Sequence, residues 1–151
     1  MKAIHWIIAV AALAFVQPAQ AGINDPEVII YRFPGVREGQ GIATVFFCTN
    51  FSGVTENIRF VTRFSNGTLS QNQVFPVAHL ATLAVATHDT NAYLIEQLLT
   101  IMASALQGTT AIAATSINII CTAETIDAST AVPIGVARRG IRFAPVPGSQ
   151  E

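Results

Sequence analysis

Lysine is almost absent from this chain: Lys2 is the only one among 151 residues. Tryptophan is limited to Trp6, and charged residues make up only 11% of the chain. Past Lys2, seven arginines stand against nine carboxylates. A lysine-free, weakly acidic chain has no general electrostatic footprint for nucleic acid. The motifs of common catalytic sites are missing too. There is no Gly-x-Ser-x-Gly elbow, no His-Glu-x-x-His pair and no phosphate-cradling glycine loop. Gly35, Gly39 and Gly41 match such a loop only in composition and read as turn glycines. Cysteine is limited to Cys48 and Cys121, neither with a second ligand at zinc-like spacing. The carboxylates are scattered singly. Glu124 and Asp127 lie three apart on a strand entering a loop and point apart, whereas a glycosidase needs two acids facing one cleft.

Long apolar runs are scarce as well, and the longest is at the start. Lys2 supplies a positive end, Ile4 to Val16 is apolar except for His5, and Ala19-Gln20-Ala21 has the small-x-small form of a cleavage site. The run is shorter than the ~20 residues a spanning helix needs. Residues 1–21 are therefore expected to be a signal peptide, cleaved after Ala21, and residues 22–151 a single domain with no membrane span. The expected location is secreted or periplasmic. An oxidising compartment favours a bridge between two cysteines. A Cys48–Cys121 bond is expected, pinning two facing sheets together.

What is abundant is Ala, Thr, Val and Ile, in short alternating runs with turn residues between them. Strands are expected at Val28 to Phe33, Ile42 to Thr49, Ile58 to Phe64 and Leu69 to Phe75. Pro76 stops the last of these or marks an edge. Further strands are expected at Ala78 to Thr87, Thr109 to Thr115, Ile117 onward through Cys121, and Ile134 to Phe143. In the Cys121 strand, Ile117, Ile119, Cys121 and Ala123 share one face. Asn66-Gly67 predicts a type I′ hairpin turn. Residues 91–106 are the ambiguous stretch. Leu94, Leu98, Met102 and Leu106 recur every four residues and predict a helix there, while the all-β surroundings predict a strand at Tyr93 to Ile101. The expected fold is an all-β, antiparallel sandwich of eight or nine strands.

Phe47-Cys48-Thr49-Asn50, Phe64-Ser65-Asn66-Gly67-Thr68, Ala114-Thr115-Ser116, Ile120-Cys121-Thr122-Ala123 and Arg142-Phe143-Ala144-Pro145 form an ordered series. It resembles small exported bacterial proteins of unknown function with an immunoglobulin-like sandwich. The resemblance implies that fold and carries no functional residue with it.

Few residues are candidates for chemistry. Arg59 and Arg63 share a strand face, as do Arg138 and Arg142, with Arg139 opposite. If the first pair and the last strand belong to one sheet, four guanidiniums form a stripe that can recognise carboxylate or phosphate. His79, His88 and Asp89 are the only material for a hydrolase or metal site, and nine residues separate the histidines. Asn50-Phe51-Ser52 and Asn66-Gly67-Thr68 match the glycosylation sequon and read as turn chemistry. The expectation is a non-catalytic binding or structural protein with a protein or glycan partner and no cofactor. The alternatives are an assembly subunit pairing through an edge strand and a small enzyme built on the two histidines.

Overall fold

The computed structural model describes residues 24–94, 96–99 and 106–142. The leader at 1–21 and the tail beyond residue 142 lie outside them. Ten strands follow in chain order: β1 Val28–Glu38, β2 Ile42–Asn50, β3 Glu56–Phe64, β4 Leu69–Val77, β5 Thr82–Ala86, β6 Gln97–Leu98, β7 Leu106–Ala114, β8 Ile119–Asp127, β9 Gly135–Arg138 and β10 Ile141–Arg142. They form two five-stranded sheets, ordered β10-β1-β7-β3-β4 and β6-β5-β2-β8-β9. Every pairing is antiparallel except that of β5 with β6. The fold is an all-β sandwich, with no helix among the described residues.

Strand alternation builds the core. Ile58 and Phe60 of β3 are fully buried, as are Phe46 and Cys48 of β2. Phe46 enters from the second sheet between Phe33 and Phe60 of the first, with ring centroids 5.4 and 5.6 Å away. These tilted and edge-on contacts suit the ring quadrupoles. Three phenylalanines thus span the core from one sheet to the other. Ala123, the ladder partner of Phe46, leaves room for the ring.

The disulfide forms, but not where expected. Cys48 and Cys121 are direct partners in the β2–β8 ladder, with Cα atoms 4.2 Å apart. The bond therefore joins neighbouring strands of one sheet and does not cross between sheets. A separation that short marks a non-hydrogen-bonded pair, where antiparallel strands come closest. Both side chains face the core, as their alternation requires. Facing inward is a property that neighbouring strands share, so alternation cannot tell a neighbour from an opposite.

Other expectations also shift. β1 runs on through Pro34 and Gly35 to Glu38, with ladder irregularities around Ile30 and Gly35. The tight two-residue turn with both φ positive is at Gln40-Gly41 (55° and 75°), closed by paired bonds between Gly39 and Ile42. At Asn66-Gly67 only Gly67 is left-handed, at 85°. Gly67 N–H donates to Phe64 and the loop holds three residues, a hairpin of a different class. Asn66 Oδ1 accepts from Thr68 N–H at 3.0 Å, which keeps Asn66 itself out of the left-handed region. Pro76 lies within β4, the edge of its sheet, where a missing N–H need not break the ladder. Ile117 is exposed, because β8 begins only at Ile119.

Residues 91–94 and 96–99 hold no helix, and 100–105 lie outside the described residues. Leu94 and Leu98 are 97% and 44% exposed, so the four-residue spacing does not bury a face. Instead Tyr93 packs edge-on over Phe47 at 5.0 Å on the outer side of the second sheet. Ala92 and Tyr93 cover a small second core of Ala43, Val45, Ala86, Ile126 and Ala128. Anchoring by two residues of a strap needs no helical periodicity. Among the described residues of 91–99, Gln97 and Leu98 pair as a strand.

The expected last strand is split. β9 pairs with β8 in one sheet and β10 with β1 in the other. Residues 139–140 therefore cross an open side of the sandwich. A Cβ on Gly140 would stand 2.4 Å from the Phe33 ring, so the crossing lies directly on the core.

Candidate functional site

β7 is the central strand of the first sheet, and its outward residues Thr109, Ala111 and Ala113 are short. The flanking strands carry long side chains on the same face: Ile29 and Arg32 on β1, Arg59, Val61 and Arg63 on β3. A low floor between high walls makes a groove of about 520 Å³. Arg59 lies beside Ala113, Val61 beside Ala111 and Arg63 beside Thr109. Arg32 flanks Ala111 from the other side. Arg59 and Arg63 are about 13 Å apart along the strand, and Arg32 stands about 10 Å across from Val61, midway between them. Val61 is the apolar centre of the groove.

Arg59 and Arg63 are each held by hydrogen bonds within the chain. Arg59 donates from Nε to Glu27 Oε2 and from Nη2 to Glu27 Oε1 at 3.1 Å, a bidentate pair. It also donates from Nη1 to Asn72 Oδ1 at 2.9 Å. The bond to Glu27 raises the guanidinium pKa, with burial opposing it. Arg63 Nη1 donates to the Gly67 carbonyl at 3.1 Å, and the residue lines the groove. Glu27 and Asp25 line the groove from the segment that leads into β1.

The structure brings Arg59 and Arg63 together and separates them from the other pair. Arg138, in the second sheet, donates from Nε to Thr125 Oγ1 at 2.9 Å. Its Nη1 would lie 3.4 Å from a Cβ on Gly35, so it reaches across toward β1. Arg142 donates to the Ile117 carbonyl at 2.6 Å and sits over the Tyr31 ring at 5.7 Å. The two arginines stand on either side of the crossing and tie its ends to neighbouring elements. The four-arginine stripe does not form: Arg138 belongs to the other sheet, and Arg142, though in the first sheet, pairs with the core-facing Tyr31 and so lies on the opposite face from Arg32.

Arg32 is the member that sequence reasoning missed. In a regular strand it would share a face with Ile30, not Ile29. The irregularity between Ile29 and Tyr31 puts Ile29 and Arg32 on the same side. No feature of the residues around Ile30 announces it.

The other candidates lie apart from the groove. His79 and His88 flank β5 at its two ends, and His79 Nδ1 accepts from Gly53 N–H at 3.0 Å. Neither the arginine groove nor the shallower one beside β9 is lined by a histidine. Asp127 Oδ1 accepts from the Ser129 hydroxyl and N–H, which lowers its pKa. Glu124 accepts from the Tyr93 hydroxyl. Glu56 is fully buried and accepts from Thr115 Oγ1. Among the described residues no helix is long and apolar enough to cross a membrane.

No family model matches this chain, and no curated protein or solved structure matches it. Any functional reading rests on the geometry alone.

Proposed function

We propose that this protein is an exported, non-catalytic binding module that holds an anionic ligand on the outer face of its first sheet. The observation that carries the reading is the grouping of Arg32, Arg59 and Arg63 around a floor of small side chains. Guanidinium groups recognise carboxylate and phosphate in a planar, two-pronged way, and Glu27 on Arg59 displays that chemistry. Export is supported by the leader and by the Cys48–Cys121 bond, which an oxidising compartment preserves. Titration calorimetry at low salt against acidic peptides and polyuronates tests the site. Binding that disappears in an Arg59→Ala/Arg63→Ala variant of unchanged Tm is expected. Failure of every anionic probe to bind ends the reading. Mass spectrometry of the mature protein tests export: a chain starting at Gly22 is expected, and a retained Met1 refutes it.

A second reading has one observation in its favour. β4 is a nine-residue sheet edge without a charged residue. Charges, prolines and bulges are the usual guards of an edge; β4 keeps Pro76 and an irregularity at Ser70, while its uncharged stretch at 71–75 pairs with a neighbour without charge repulsion. Assembly through β4 predicts a concentration-dependent dimer in analytical ultracentrifugation that Val74→Lys dissociates. A monomer at all concentrations refutes it.

A further inference from the structure

The groove already holds acid from its own chain. Asp25 and Glu27 lie at it, and Glu27 engages Arg59 with both carboxylate oxygens. We propose that Asp25-Pro26-Glu27 is a tethered occupant of the groove, and that the ligand is an extended acidic peptide that displaces it. This rests on the groove being an anion site.

Three observations support a displaceable occupant. The ladder of β1 with β7 begins at Val28, so strand pairing does not dictate where Glu27 lies. Arg59 and Glu27 side chains are 36% and 19% exposed, and partly exposed pairs are weak enough to exchange. The tether keeps the segment at a local concentration in the millimolar range, so it competes without needing high affinity.

The same observations favour peptide over glycan. The segment seated on the groove is polypeptide, and its carboxylates are two residues apart, about 7 Å along an extended chain. The small floor of Thr109, Ala111 and Ala113 leaves height for a narrow backbone between the arginine walls. Cleavage after Ala21 leaves this segment on the mature chain.

Fluorescence anisotropy on the chain beginning at Gly22 tests the proposal, with a labelled peptide copying residues 24–29 as the probe. The native protein is expected to bind it weakly and an Asp25→Asn/Glu27→Gln variant about fivefold more tightly. Arg59→Ala should abolish both. Equal affinity of native and variant protein overturns the tethered occupant and leaves the anion groove standing. If only polygalacturonate binds, through Arg59, the peptide class is overturned and the groove stands. If neither probe binds any form, both readings fall. Should the variant fold poorly, the native protein still decides: the Arg59 Nε–H resonance moves on saturation with peptide if Glu27 is displaced. An unmoved resonance under saturating peptide overturns the proposal.

Discussion

Reducing the bond between Cys48 and Cys121 is expected to cost about 4 kcal/mol of stability. The magnitude comes from the unfolded chain. The bond closes a loop of 73 residues, and the chain-entropy model assigns about 4 kcal/mol to a loop of that length. The folded side changes little. The two cysteines are ladder partners between β2 and β8, whose register runs unbroken from Ile42 with Asp127 to Asn50 with Ile119. Backbone hydrogen bonds hold those strands with or without the sulfurs. The packing of Phe46 between Phe33 and Phe60, which joins the sheets, does not pass through the bond. Replacing both cysteines with alanine goes further, because it also empties buried volume, adding about 1–2 kcal/mol. Urea unfolding of oxidised, reduced and double-alanine protein separates the two contributions. Reduction alone should lower Tm by roughly 15 °C for a domain of this size. Slow amide exchange in β2 and β8 should persist in the reduced protein at 25 °C. A reduced form within about 1 kcal/mol of the oxidised one refutes the loop-entropy reasoning. A reduced form that loses protection in both sheets refutes the claim that the ladder stands without the bond.

Three further expectations follow from single contacts. Gly108→Ala should destabilise by about 3 kcal/mol or more in thermal unfolding, because its Cβ would lie 1.8 Å from the Arg63 carbonyl oxygen in a central strand; a loss below about 1 kcal/mol would show the strands giving way easily. Burial and the hydrogen bond to Glu124 push the Tyr93 pKa up to about 12. The folded value lies above the ordinary one of 10, so the stabilisation is complete below pH 10 and is lost as pH rises through about 12. Ultraviolet titration of a Tyr31→Phe variant reads this, and ionisation at the ordinary value would refute it. Replacing His79 and His88 together with alanine should leave fold and binding intact, since both are exposed and lie at opposite ends of β5; loss of an activity at unchanged Tm would make the histidines functional.

Much of the fold was legible because alternation is local. Ile58, Phe60 and Thr62 read inward from their spacing alone and are buried. Cys48, Cys121 and Ala123 read inward too, and so do the strands that carry them. The pairing of the cysteines followed from their number and from the leader. Arg59 and Arg63 read as one outward pair, and they are two of the three arginines of the candidate site.

The rest depended on which strands became neighbours. One residue added at Ile30 turns Arg32 into a wall of the groove. The chain crosses between sheets at residues 139–140, which leaves Arg138 in the second sheet, and the register of Arg142 opposite the core-facing Tyr31 turns it away from the groove. Leucines spaced by four at Leu94 and Leu98 found no surface to bury against, since Tyr93 and Ala92 took the place over Phe47. By itself the sequence determined which side chains turn inward within the regular strands, where most turns fall, and that two cysteines would meet. Only the tertiary structure decided that they meet within one sheet and that three arginines share one groove. The physical reason is that side-chain direction is set by the dihedrals of one strand, while strand order is set by burial summed over all of them.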